Sequence, residues 1–153
     1  MIDEVRITDL VPHAGSMCLL EWVIDWDESQ IRAGSLGHRR PEHPLRREGR
    51  IDPVILCEYG AQAMAVHGGL LARRVGLHAS PGFLVSLREV RLAGVTLERL
   101  EGPLEVSARR LHGDAHGWQY AFAVHHAGQE LAVGRAAVVL RQNVALPSRS
   151  AGR

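Results

Sequence analysis

The sequence predicts an α+β domain in which an antiparallel sheet of about six strands wraps around one long central helix. Three observations carry that prediction. The stretch from Asp52 to about Val75 is apolar nearly all round, as a helix buried on most sides must be. The segments on either side of it alternate apolar and polar residues, the pattern of half-buried strands. The last three segments are joined by short connections, which produce antiparallel meanders and not βαβ crossovers. A lone apolar helix needs cover, and strands are what the chain has to supply it.

The elements follow in order. Residues 1–17 read as a short helical or irregular lead-in that ends in Leu10-Val11-Pro12-His13-Ala14-Gly15-Ser16-Met17. Cys18 to Trp26 reads as a strand, and Ser29 to Gly37 as its partner across the Asp27-Glu28 turn. On a regular strand Trp22 and Trp26 share one face, where packing is their role. Residues 38–50 are polar and broken by Pro41 and Pro44, hence a loop, and they hold Arg39, Arg40, Arg46, Arg47 and Arg50. Asp52-Pro53 opens the helix, Asp as a cap and Pro at the first position. Arg73 and Arg74 suit its last turn and Gly76 its stop. Beyond it, 83–92, 104–111, 118–125 and 129–141 read as strands.

Length and composition bound the function. The 153 residues suit one domain, expected over 1–146, with a disordered tail at 147–153. Basic and acidic residues nearly balance at 18 against 17, a net charge of +1. That balance argues against a nucleic-acid partner, which would select a strong basic excess. All the basic residues are Arg, so lysine Schiff-base chemistry and a P-loop lysine are excluded. The one long apolar stretch carries Glu58 and Gln62, which argues against a membrane span. The acidic opening Met1-Ile2-Asp3-Glu4 does not read as a secretory signal. Cys18 and Cys57 form no Cys-x-x-Cys pair and read as reduced thiols. A cytoplasmic protein is the expectation.

Glu58 is the most informative residue. It stands early in a helix whose other residues belong inside, with Gln62, Ala65 and Gly69 further along its face. A carboxyl buried without a partner takes up a proton, and a protonated carboxyl near neutral pH is what general acid catalysis uses. An exposed helix edge, or a structural pairing with an Arg of the 38–50 loop, would also accommodate it. His13 sits in a tight Pro12-His13-Ala14-Gly15 turn that can aim an imidazole into a cleft. His38 and His43 flank the Arg-rich loop. His112, His116, His125 and His126 lie near two turns but have no ligand spacing that completes a metal site.

Two stretches resemble a known family. Leu10-Val11-Pro12-His13-Ala14-Gly15-Ser16-Met17-Cys18-Leu19-Leu20-Glu21 is similar to the "LPH-x-x-P-M-x-L-L-D" opening of 3-hydroxyacyl-[acyl-carrier-protein] dehydratases of the FabZ type. Leu56 to Ala65 resembles their "E-x-x-A-Q" helix. His38-Arg39 through Ala65 resembles most the ApeP-like predicted dehydratases associated with aryl polyene pigment synthesis. The resemblance covers roughly residues 8–141 and implies a hotdog fold. It implies a homodimer or higher oligomer, or a heterodimer with a homologous dehydratase, with active sites at the subunit boundary. It implies that a 3-hydroxyacyl thioester on acyl carrier protein loses water to become the trans-2-enoyl thioester. No cofactor is implied beyond the carrier's own phosphopantetheine.

In this resemblance Glu58 takes the acidic position. FabZ-type enzymes place their histidine in "G-H-F-P-G", where this chain has Pro44. In ApeP-like relatives the opening histidine serves as base, which is His13 here, with His38 as the second candidate. Gln62 would orient Glu58. Asp52, Pro53 and Val54 would bring backbone N–H groups to the thioester carbonyl. Arg39, Arg46 and Arg47 would meet the acidic carrier. A thioesterase, in which the carboxylate activates water, and a catalytically silent subunit that binds the carrier or an active homologue are the competing expectations.

Overall fold

The computed structural model describes residues 7, 10, 17–77 and 82–140. Six strands are present: β1 (Trp22–Trp26), β2 (Gln30–Ser35), β3 (Gly82–Leu92), β4 (Leu104–Gly113), β5 (Gly117–His126) and β6 (Gln129–Leu140). One α-helix, α1 (Leu56–Arg74), stands between β2 and β3 in the chain. The strands form a single sheet in the order β1-β2-β4-β5-β6-β3, every pair antiparallel. This is the expected wrap of six strands around one helix. The meander β4-β5-β6 closes through short turns at Asp114 and at Ala127-Gly128.

Alternation places the core. In β4, Leu104, Val106 and Ala108 are fully buried, while Arg109 is exposed and Glu105 and Ser107 are half-buried. The buried set meets Leu56, Tyr59, Ala63, Met64, Val66 and Leu70 of α1 in one cluster. The helix rests mainly on β4, β5 and β2. Strand β3 lies beyond it, at the far edge of the sheet. There Leu84, Val85, Leu87, Val90 and Leu92 are exposed, with Val85 at 57%.

Helix and sheet approach closely at one place. A Cβ on Gly60 would lie 2.5 Å from Phe122 Cδ2, and one on Gly134 would lie 2.7 Å from Phe122 Cε1. The Phe122 ring thus fills the space between a helix glycine and a strand glycine. Fully buried His67 ties the middle of α1 to the sheet. Its Nε2–H donates to Asp27 O (2.8 Å) and its Nδ1 accepts from the Tyr120 hydroxyl (2.9 Å). The helix stops as the sequence predicts. Gly76, at φ +74°, allows Leu77 N–H to reach Ala72 O and Gly76 N–H to reach Arg73 O, a Schellman motif.

Three details differ from the sequence expectation. The first strand begins at Trp22, not Cys18, because the Leu19 N–H is drawn to Gln62 Oε1 on the helix. A bulge between Val23 and Asp25 rotates the strand. Trp22 and Trp26 therefore do not share a face: Trp26 packs on the core, while Trp22 covers Gly34. Asp52 caps a 3-10 turn (Pro53–Ile55) that feeds into α1, so the α-helix itself begins at Leu56. Among the described residues, no helix is long and apolar enough to cross a membrane.

Candidate functional site

Glu58 lies in the first turn of α1. It is half-buried, on the part of the helix surface that continues through half-buried Ala61 and Ala65. Gln62, one turn on, is fully buried and uses its whole amide. Its Nε2–H groups donate to Glu58 Oε1 (3.1 Å) and Met17 O (2.8 Å), and its Oε1 accepts from Leu19 N–H (2.8 Å). The i,i+4 spacing legible in the sequence thus becomes a clamp. One side of the amide fixes the carboxyl, and the other holds the chain entering β1.

Leu10 and Met17 each lie against α1. A Cβ on Gly69 would meet Leu10 O at 3.0 Å, and Met17 lies at Gln62 two turns nearer the helix start. His13 falls between these two anchors in sequence and lies outside the described residues. His38, in the 3-10 turn Gly37–Arg39, is described and fully buried. Its Nε2 bonds to Leu100 O at 2.8 Å, which makes Nε2 the protonated nitrogen, and buried Nδ1 has no partner among the described residues. Burial pushes the His38 pKa below the ordinary value, so the ring is neutral at pH 7 with an open lone pair on Nδ1.

A second histidine of this loop, His43, is also buried. Leu45 N–H donates to its Nδ1 (3.2 Å), and its Nε2–H reaches the Tyr59 hydroxyl (3.0 Å). Burial lowers the pKa of His43 and pushes the Tyr59 phenol up to about 12. Ser35 stands beside this loop at the end of β2, fully buried. Ser35 donates to Leu19 O (2.7 Å) and accepts from Gly37 N–H (3.2 Å). Sequence reasoning singled out Glu58 and Gln62, noted His43 beside His38 on the Arg-rich loop, and passed over Tyr59 and Ser35. Only the position of Tyr59 beside Glu58, on the buried side, signalled them.

The remaining candidates are placed as follows. Asp52 Oδ1 accepts from Val54 N–H (2.9 Å) and Asp52 O from Ile55 N–H (3.0 Å), and Pro53 has no N–H. These groups close the turn ahead of α1. Arg39 and Arg47 are exposed. Arg46 is half-buried and its guanidinium donates to Gly49 O (3.1 Å) and His38 O (3.2 Å), bracing the loop. Arg47 and Arg50 exchange backbone bonds across Glu48-Gly49, both at positive φ. Arg40 pairs with Glu21. Cys18 and Cys57 are both free thiols, held above the usual thiol range by burial.

No group of three or more His, Cys, Asp and Glu side chains suited to a metal ion occurs among the described residues. A trough of about 700 Å³ crosses β2, β4, β5, β6 and β3. Its polar lining, Gln30, Ser107 and Arg109 among others, alternates with the residues buried under α1, so it opens on the sheet face away from Glu58.

Comparisons with known proteins agree with this arrangement. Residues 5–146 match the ApeP-like family, described as ApeP dehydratase. Among solved structures, the dehydratase heterocomplex ApeI:P from Xenorhabdus doucetiae matches with a TM-score of 0.81 at 22% identity, covering 91% of this chain and 93% of that one. AziG of S. sahachiroi matches with a TM-score of 0.61 at 19% identity, covering 87% and 99%. A hypothetical thioesterase with coenzyme A from Streptococcus pneumoniae TIGR4 matches with a TM-score of 0.57 at 8% identity, covering 78% and 84%. These likenesses establish the hotdog fold. No curated protein matches the chain.

Proposed function

Because the chain belongs to the ApeP-like dehydratase family, we propose that it serves the dehydration of a 3-hydroxyacyl thioester carried on acyl carrier protein, with Glu58 as the acid. The observation that carries this reading is the Gln62 clamp. A carboxyl at the head of the buried helix is held at one oxygen by an amide that is itself fixed at both ends. A group so oriented is suited to deliver a proton along one direction.

The reaction balances with one base and one acid. The base removes the proton from C2. The electron pair forms the C2=C3 double bond, the C3–O bond breaks, and the hydroxyl leaves as water with the proton from Glu58. His13 is the proposed base, supported by the family's opening motif and by the anchoring of its flanking chain at Gly69 and Gln62. His38 is the alternative, supported by its neutral ring and open Nδ1. The carrier brings the substrate on its own phosphopantetheine, and no further cofactor takes part. Exposed Arg39 and Arg47 supply the positive charge for an acidic carrier, with Arg46 bracing the loop that bears them. Asp52, Pro53 and Val54 shape the helix start beside the thioester. The lysine-free, balanced charge and the two free thiols suit a cytoplasmic setting.

A second reading has its own support. The similar ApeI:P structure is a heterocomplex, and β3 leaves an eleven-residue edge with five exposed apolar side chains. A long, unpaired, apolar edge is a template for another chain. The protein would then act as one subunit of a hotdog oligomer, with catalysis shared or supplied by a homologous partner.

The test uses purified protein, alone and mixed with a homologous hotdog dehydratase, on 3-hydroxyacyl carrier protein, and mass spectrometry reads the loss of one water. Water loss that disappears in folded Glu58→Gln is the expected result. Water loss only in the mixture and unchanged by Glu58→Gln would assign the chemistry to the partner. Release of the free acid would assign a thioesterase.

A further inference from the structure

Glu58 is held by more than Gln62. Starting from Ser35, a line of buried groups runs to the same clamp. The Ser35 hydroxyl, at the end of β2, donates to Leu19 O at 2.7 Å. The peptide ahead, through Leu19 N–H, bonds to Gln62 Oε1 at 2.8 Å, and Gln62 Nε2–H bonds to Glu58 Oε1. Ser35, Leu19 and Gln62 are between 0% and 5% exposed, so water does not stand in for a missing link.

Three parts of the chain meet here: the end of β2, the segment entering β1, and the first turns of α1. Ser35 to Leu19 spans 16 residues and Leu19 to Gln62 spans 43. The line does not touch the reacting atoms. Its terminal effect is on the orientation of the Glu58 carboxyl and on the height of the Met17–Glu21 segment over α1.

We propose that Ser35 is a positioning residue that sets the Glu58 carboxyl through Leu19 and Gln62. The inference rests on the dehydratase reading, since it names what the positioning serves. Misplacing an acid slows the chemical step more than it weakens binding of a long thioester. The effect therefore falls on kcat, with KM little changed.

The experiment measures kcat and KM for water loss from 3-hydroxyacyl carrier protein, using the assembly active in wild type. The variants are Ser35→Ala, which removes one oxygen, and Ser35→Thr, which restores the hydroxyl. Circular dichroism and a thermal melt confirm the folded fraction, and rates are normalised to it. The expected result is a fall in kcat of about tenfold in Ser35→Ala, KM within about twofold of wild type, and substantial recovery in Ser35→Thr. Wild-type kcat in folded Ser35→Ala would overturn the positioning role while leaving the dehydratase reading intact. Absence of water loss from wild type in every assembly would overturn both.

Discussion

Replacing Gln62 with Met isolates the worth of the clamp. Met has nearly the length of Gln and no hydrogen-bonding amide, so Gln62→Met fills the site and removes three bonds at once. The Leu19 N–H suffers most. Leu19 is 5% exposed, and a buried N–H without an acceptor costs about 1–3 kcal/mol. Met17 is 38% exposed and Glu58 half-buried, so water replaces their bonds at a loss of roughly 0.5 kcal/mol each. Exchanging a buried amide for a thioether returns part of this. The net loss is about 2–3 kcal/mol, and for a chain of this size that lowers Tm by roughly 6–9 °C. Calorimetry or denaturant melts at matched protein concentration give the number. A Tm within about 2 °C of wild type would refute the claim that Gln62 fixes the β1 entry. A full loss of Tm with unchanged turnover per folded molecule would refute its link to Glu58.

Other outcomes follow from the same structure. Gly60→Ala sets a Cβ 2.5 Å from Phe122 Cδ2; overpacking of about 1–3 kcal/mol outweighs the gain in helix propensity of about 1 kcal/mol, and a raised melting midpoint would contradict it. His38, His43 and His67 all have pKa values lowered by burial. The unfolded chain binds protons near the ordinary value of 6.5 where the folded chain does not, so stability is full above that value and falls as pH drops through it. Urea midpoints taken between about pH 7.5 and 5 should decline, and a flat profile would speak against the burial of these rings. Val85→Lys places a charge on the exposed β3 edge and should shift sedimentation from oligomer to monomer while leaving the far-UV spectrum unchanged; retained oligomer would move the interface elsewhere. Arg39→Glu with Arg47→Glu should raise KM for the carrier-bound substrate, more at low salt than at high, with kcat preserved.

Most of the fold was legible because its signals are local. The alternation in β4 and β5, the turns between them, and the apolar circumference of 56–70 all follow from neighbouring residues. Glu58 and Gln62 were legible for the same reason, four residues apart on one helix. What escaped depends on contacts distant in sequence. The bulge that separates Trp22 from Trp26 arises from pairing with β2, where a regular period of two fails. The 38–50 loop has the composition of a solvated strap, yet buries His38 and His43 because Leu100 O and Tyr59 Oη receive them. Arg46 reads as a surface charge and is turned inward by two carbonyl oxygens.

The two histidine–tyrosine pairs have a mechanical consequence. Tyr59 is keyed to His43 near the start of α1, and His67 is keyed to Tyr120 and Asp27 near its middle. The keys lie eight residues apart, about 12 Å along the axis, and they engage different walls of the fold. Sliding the helix by one turn, about 5.4 Å, would shear both at once and strand four buried polar groups. The helix therefore behaves as a bolted shaft and not as a piston. Any adjustment alongside it falls to the small residues on its flank, with the shaft itself held at constant pitch and height.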